Sequence, residues 1–383
     1  MLFKDVLGLT HLKKHLTTSA NAGRIPHAQL FVGAEGSGTL TLAIAYAQYI
    51  LCKNNNGENI NVNQICNAKC ESLTHPDLHF AFPVSISENV KKDAISDNYI
   101  KEWRQFIKAE NYCNLFDWYR HIGIEKKQGL IGVHEAKNIL KKLSLKSYEG
   151  GYKVLIVWMA EKMNTEASNK LLKLIEEPPK NTIFILVVED ETQIIDTIKS
   201  RCQILHIPPM PESVIAKGLI IRSLPEKDAY RLAHEANGNF KKALDLMNND
   251  SEDLVFEKWF VKWVRSAFKA KGNKTAIHEL IKWSEEIAKS GREIQKKFLN
   301  YCVSIMRQAM LLNYTADELV FTKINHEGFD LEKFAPFVHE NNILDITKEL
   351  EKAIFHVERN GNAKIIFTDL SIKLTRLLHT KSS

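Results

Sequence analysis

The chain has 383 residues, 44% of them hydrophobic and 26% charged, and a formal net charge of +6. That length points to two or three domains that bury their own cores without disulfides, and no apolar run reaches the roughly 20 residues that would cross a bilayer. The charge is modest for the length and its lysines are interspersed with acids, so composition alone does not indicate nucleic acid, while the opening Met1-Leu2-Phe3-Lys4-Asp5-Val6 carries charge where an export signal would be apolar and leads us to expect a cytoplasmic protein.

In chain order, Gln29-Leu30-Phe31-Val32 reads as a buried strand that stops at Gly33. The next residues, Gly33-Ala34-Glu35-Gly36-Ser37-Gly38-Thr39-Leu40, have the glycine spacing of a phosphate loop and open a helical segment, Thr41 to Leu51. A working loop follows its last glycine with a lysine for the β- and γ-phosphates and then a serine or threonine for magnesium. Thr39 and Leu40 stand there instead. A hydroxyl lacks the charge, and a leucine cannot ligate a hard cation. Glu35 adds a carboxylate to a loop that should attract anions, so any remaining affinity of Gly33, Gly36, Gly38 and Thr39 for phosphate would rest on backbone amides alone.

Three of the six cysteines, Cys52, Cys66 and Cys70, lie close together and suggest reduced thiols or a metal site rather than a disulfide framework. Residues 54–63 and 82–128 interrupt the α/β pattern. The second stretch holds Trp103, Phe106, Tyr112, Phe116, Trp118 and Tyr119, which predicts a folded helical insertion with these rings in its core rather than a stacking surface for nucleic acid. Lys153 to Trp158 and Thr182 to Val188 are two further strands. Between them Glu166 to Glu177 forms a helix with Ala167, Leu171, Leu174 and Ile175 on one face, stopped by Pro178-Pro179. Strand, helix, strand implies a parallel sheet with helices on its faces. The end of the strand Leu155-Ile156-Val157 is where an ATPase needs its acidic pair, and Trp158 and Met159 occupy it. Charged groups are thus missing at two separate places, and we expect a fold kept for its shape, with no ATP hydrolysis of its own.

Ile207-Pro208-Pro209-Met210-Pro211 marks a boundary. The expected division is an α/β domain over 1–207, a small helical domain over 208–250 and an all-α domain over 251–383. In the last, Ile343, Ile346, Leu350, Ile354 and Val357 form one helical stripe, and Leu370, Leu374 and Leu377 another.

Several short motifs follow one another in a specific order: Arg24-Ile25-Pro26-His27-Ala28, the loop from Gly33, Ala160-Glu161-Lys162-Met163-Asn164, Asn169-Lys170-Leu171-Leu172-Lys173, Glu176-Glu177-Pro178-Pro179 and Ser200-Arg201-Cys202. Together they resemble the clamp-loader ATPase family of bacterial DNA polymerase III, within AAA+. The resemblance implies an AAA+-like P-loop domain, a helical lid and an all-α collar. It implies a non-motor subunit of a hetero-oligomer that loads the sliding clamp onto primed DNA, with gamma/tau ATPase subunits and the clamp-opening delta subunit as partners, and no membrane. In that family an arginine is presented in trans to a neighbour's ATP. Arg201 matches it, with Ser200 and Cys202 as motif neighbours, and a permanently charged planar fork suits a γ-phosphate. The bland alternative is that Arg201 merely pairs with a local carboxylate, such as Asp190 or Asp196. Lys241, in Ala236-Asn237-Gly238-Asn239-Phe240-Lys241-Lys242-Ala243, stands at or beside the position of a nucleotide-sensing arginine and is expected to be solvated or interfacial. The family often carries a zinc module, and here Cys52, Cys66 and Cys70 could hold zinc if a fourth ligand joined them, His75 or His79 being near enough in sequence and His75 having a structural turn role as its alternative. One cysteine of that module is absent and the x3 spacing differs, so the alternative is a vestigial module of reduced thiols. No catalytic cofactor is expected. The rival readings are an active motor of the gamma/tau kind and a DNA-binding module.

Overall fold

The computed structural model describes residues 1–53, 64–88, 90–148, 151–248, 253–314, 324 and 328–380. The chain divides into two compact units, one of residues 1–124 and 128–247, the other of 125–127 and 248–383. The expected interruption at 54–63 lies outside the described residues.

The first unit is built on five parallel strands: β1 (Ala28–Val32), β2 (Leu78–Ala81), β3 (Lys153–Trp158), β4 (Thr182–Val188) and β5 (Gln203–His206). Their order in the sheet is β2-β3-β4-β1-β5, so β1 is flanked by β4 and β5, with Leu30 opposite Leu186 and Ile204. Parallel strands covered on both faces read as unbroken apolar runs. β3 and β4 are buried along their whole length, which is why both were legible in the sequence. β2 and β5 were not anticipated. Each has four residues, and β5 is a largely exposed edge, so neither presents such a run.

Side chains alternate across the sheet with period two. Phe31, Val154, Ile156, Ile183 and Ile185 enter a core on one face. That face is covered by α1 (Thr10–Asn21), α2 (Thr39–Leu51) and the insertion. Leu30, Leu155, Val157, Phe184 and Leu186 enter a second core on the other face with α6 (Val133–Ser144) and α7 (Thr165–Glu176). Asn164 caps α7 by accepting a bond from the Ala167 amide at 2.8 Å. Helix α2 is followed by α3 (Gln64–Glu71), and the short α8 (Asp196–Lys199) leads into β5.

The insertion contains α4 (Ile100–Ala109) and α5 (Leu115–His121). Trp103, Phe106, Trp118 and Tyr119 are core, as expected from the sequence, whereas Tyr112 packs outside the insertion. The fully buried Trp103 stacks on Phe82 at 4.3 Å between ring centroids and meets Trp118 edge-on at 5.3 Å, and the Trp118 indole donates to the Pro83 carbonyl at 2.8 Å. Beyond the proline-rich segment come α9 (Glu212–Ile221), α10 (Glu226–Ala236) and α11 (Phe240–Met247), which share an apolar cluster with Met210 and with Tyr112 of the insertion.

The regular elements among the described residues of the second unit are helices, α12 (Asp253–Lys269), α13 (Lys274–Ala288), α14 (Arg292–Asn313), α15 (Leu331–Phe334), α16 (Ile343–Glu358) and α17 (Ala363–Leu377), with one short 3-10 turn. Trp263 and Trp283 stack at 5.1 Å, and the Trp263 indole donates to Ser371 Oγ at 2.9 Å. The stripes read from the sequence line this core, with Ile343, Ile346, Leu350 and Val357 buried on α16 and Leu370 and Leu374 on α17. Among the described residues no helix is long and apolar enough to cross a membrane.

His79 on β2 gives the first unit a pH dependence. Burial, reinforced by Lys142, lowers its imidazole from 6.5 to about 4. The unfolded chain therefore takes up a proton that the fold refuses, so stability is full above pH 6.5 and declines as pH falls toward 4. At 1.36 kcal/mol per pH unit this loss amounts to roughly 3 kcal/mol. Thermal melts between pH 7.5 and 4 should show the wild type losing more stability than His79→Gln, whereas parallel curves would mean that His79 titrates alike in both states.

Candidate functional site

The phosphate-type loop lies between β1 and α2. Gly36 and Gly38 have φ of +75° and +83°, in the left-handed region that glycine adopts freely, and Gly38 caps α2. Inside the loop the Ser37 and Thr39 hydroxyls are hydrogen-bonded to each other at 2.7 Å and fold back over Gly33, where a Cβ would stand 2.3 Å from Thr39 Oγ1. Thr39 is buried, so the residue in the lysine position is turned inward. Leu40, in the magnesium-ligand position, is packed in the apolar core. Across the sheet Trp158 packs against Trp103 at 5.2 Å and Phe106 at 6.4 Å, and Met159 is buried beside it. The remaining cavity measures about 40 Å³. Pockets for drug-sized ligands run to about 300–1,000 Å³, far more than the space left beside the loop as folded.

The space is taken by the insertion. The Thr41 hydroxyl donates to the Asn111 carbonyl at 2.8 Å, and the Tyr112 ring lies over Gly38, 2.9 Å from where a Cβ would be. The Tyr112 hydroxyl accepts from the Leu7 amide at 2.8 Å, its ring edge meets Phe240 at 4.8 Å, and burial raises its phenol to about 12. On the other side the start of α11 closes on the loop. The Phe240 amide donates to the Gly36 carbonyl at 3.2 Å and Asn239 Nδ2 to Glu35 Oε1 at 3.3 Å. A side chain at Gly36 would collide with Asn239 Oδ1, 1.9 Å from the Cβ position, which explains the glycine.

Lys241 corrects an expectation. It is neither solvated nor at an outer surface; it is buried, 3.0 Å from Asp117 on α5, and paired with Asp245 one turn along α11. Burial opposes its charge, but the two carboxylates outweigh it and hold the ammonium above its ordinary pKa. Removing one partner from such a buried group typically costs about 3–5 kcal/mol.

Arg201 stands between α8 and β5. It does pair with a carboxylate of its own chain, as the bland alternative has it, though with neither Asp190 nor Asp196. Asp196 pairs with Lys199 at 2.7 Å, and Asp190 accepts from the Thr192 amide and hydroxyl of its own turn. Arg201 Nη2 instead meets Glu176 Oε1 at 2.7 Å, while Nη1 donates to the Thr197 carbonyl at 3.0 Å and to Ser200 Oγ at 3.3 Å. Glu176 ends α7, where a negative charge faces the negative end of the helix dipole, and the guanidinium relieves that repulsion. The two side chains are 41% and 39% exposed. A pair this wet is worth no more than about 1 kcal/mol and exchanges readily. Burial pushes the neighbouring Cys202 thiol up to about 11, so it is a neutral packing group.

The cysteine cluster is assembled by the end of α2 and the length of α3. All three sulfurs lie within 4.8 Å of one another. The bonding differs from the expectation of reduced thiols: Cys52 and Cys66 form a disulfide, with Cα atoms 5.5 Å apart, and Cys70 Sγ is 3.6 Å from Cys52 Sγ. Cys52 at the end of α2 and Cys66 in the first turns of α3 face each other at a separation that suits a disulfide. Zinc does not fit this oxidised form, because only Cys70 keeps a thiol, and among the described residues no histidine or carboxylate joins the three sulfurs. His75 is buried and accepts from the Asp77 amide at 3.2 Å, while His79 sits on β2. Among the described residues neither is grouped with the three sulfurs. Disulfide and metal are thus exclusive states of one cluster. Alkylation of the denatured, unreduced chain should label four cysteines (Cys70, Cys113, Cys202 and Cys302), and intact mass should show six only after reduction; six labels without reductant would mean that the thiol form prevails.

Residues 8–211 match the family model described as DNA polymerase III, delta subunit. Over 237 residues the chain is 30% identical to DNA polymerase III subunit delta' of Bacillus subtilis (strain 168), covering 62% of this chain and 58% of that protein. It is 27% identical to subunit tau of the same organism over 258 residues, covering 64% and 37%, and 26% identical to subunit delta' of Escherichia coli (strain K12) over 242 residues, covering 62% and 59%. The aligned region thus spans less than two thirds of the length of these relatives. Since the family model covers more than half of the sequence, the chain belongs to the DNA polymerase III delta-subunit family.

Proposed function

We propose that the chain is a stator of the bacterial replicative clamp loader, of the delta-prime kind, which hydrolyses no ATP itself and lends Arg201 to ATP bound by a neighbouring gamma/tau-type subunit. On this reading its partners are the gamma/tau ATPases and the delta subunit, with the sliding clamp and primed DNA reached through the assembly in the cytoplasm. The observation that carries it is a contrast between two phosphate-directed features. The chain's own loop is filled by Tyr112 and has about 40 Å³ left, whereas the Arg201 fork lies at the surface in a half-exposed pair with Glu176. A γ-phosphate in a dry interface attracts a guanidinium more strongly than a wet carboxylate does, so the pair with Glu176 gives way on docking.

The sequence likeness extends to both delta' and tau relatives and so does not by itself separate stator from motor. The residues favour the stator, because Thr39, Leu40, Trp158 and Met159 supply neither phosphate charge nor a magnesium ligand. Buried Trp103, Phe106, Trp118 and Tyr119 likewise speak against a stacking surface for single-stranded nucleic acid.

Two measurements test the proposal. Arg201→Ala should leave the chain folded and the complex assembled while lowering its DNA- and clamp-stimulated ATPase by about 10³-fold, the lower range for an arginine supplied in trans. An unchanged rate would overturn the assignment. Calorimetry with magnesium-ATP should show no binding to the chain alone; micromolar binding with turnover would identify a motor.

A further inference from the structure

In a nucleotide-binding α/β domain with a helical lid, closure is commonly driven by the ligand that both parts grip. Here the grip is made by the chain itself. Four contacts converge from one short stretch of the insertion. Asn111 is tied through its carbonyl to Thr41 of α2, and Tyr112 is wedged between Gly38 and Phe240. Asp117 is bound to Lys241 on α11 at 3.0 Å, and Glu110 Oε1 meets Arg222 just after α9 at 3.3 Å. The Arg222 guanidinium also lies over the Phe240 ring, 5.0 Å from its centroid, so the same lid surface is held from both sides. Tyr112 itself belongs to the apolar cluster of α9–α11.

We propose that residues 110–117 act as an intramolecular ligand: they occupy the degenerate phosphate loop and fasten α9–α11 to the sheet domain in a single closed arrangement. The apolar ring takes the volume of a nucleotide, and the Asp117 and Glu110 carboxylates, placed opposite Lys241 and Arg222, take the part of its phosphates toward the lid. The loss of the lysine and of the acidic pair then has a structural counterpart. The loop has exchanged a diffusible anion for a tethered one that never dissociates, and the lid is held without a nucleotide cycle. This inference rests on the reading that the loop takes no ATP.

The test is hydrogen exchange by mass spectrometry on the full chain, comparing the wild type with Glu110→Gln/Asp117→Asn and with Tyr112→Ala. The double variant keeps the size of both side chains, and with them the capping role of Asp117 in α5, while removing both charges that face the lid. Exchange in α11 and in loop 33–40 should rise about tenfold or more in each variant, with β3, β4 and α12–α17 unchanged, as expected for local rather than global opening. Wild-type exchange in α11 of the folded double variant would overturn the inference and leave the no-ATP reading intact. Micromolar ATP binding by the wild type would overturn both, because the segment would then have to leave the loop.

Discussion

Trp158 at the end of β3 is the residue around which the first unit is organised. A strand end in a parallel sheet is ordinarily a wet place where polar groups meet ligands. An indole there needs apolar cover, and the insertion supplies it through Trp103 and Phe106. Once that cover is in place, the segment between α4 and α5 runs past the phosphate-type loop and Tyr112 falls onto Gly38. Lost acid, aromatic insertion, filled loop and anchored lid are therefore parts of one packing solution. Reverting any one of them alone would leave either a buried charge or a void.

The same logic distinguishes the two cationic side chains of interest. Lys241 is deep, doubly paired and structural, and its energy depends on both carboxylates remaining in place. Arg201 is half exposed, singly paired and held by a carboxylate at an unfavourable helix end. Position in the sequence motifs marked both residues for attention. Burial and partner count separate a buried anchor from a half-exposed surface pair.

Much of the fold was legible because continuous apolar runs specify buried strands. β1, β3 and β4 fall where Gln29 to Val32, Lys153 to Trp158 and Thr182 to Val188 placed them, whereas β2 and β5 are too short, and β5 too exposed, to leave that signature. The presence of Thr39 and Leu40 after the last loop glycine was equally plain, since it is residue identity alone. What filled the loop was not, because Tyr112 reaches Gly38 and Phe240 only through tertiary packing. Lys241 illustrates the division within one residue. Its pair with Asp245 follows helical spacing and could have been read, while Asp117 comes from a distant segment with no local mark. The cysteines were rightly grouped by spacing, but spacing does not determine whether sulfurs bind each other or a metal.

One consequence of the sheet topology concerns reach. Arg201 is separated from β5 by a single residue, and β5 is the edge strand next to β1, with Gln29 opposite Gln203 through Val32 opposite His206. In parallel strands the loop after β1 and the arginine before β5 lie at opposite ends of that pairing. Slippage by one residue would advance the guanidinium by about 3.3 Å and turn it to the other side of the sheet, more than the phosphate contact proposed for it would tolerate. The exposed four-residue edge strand is thus the ruler that sets how far the arginine projects, and its modest hydrogen-bond ladder carries a metric duty out of proportion to its size.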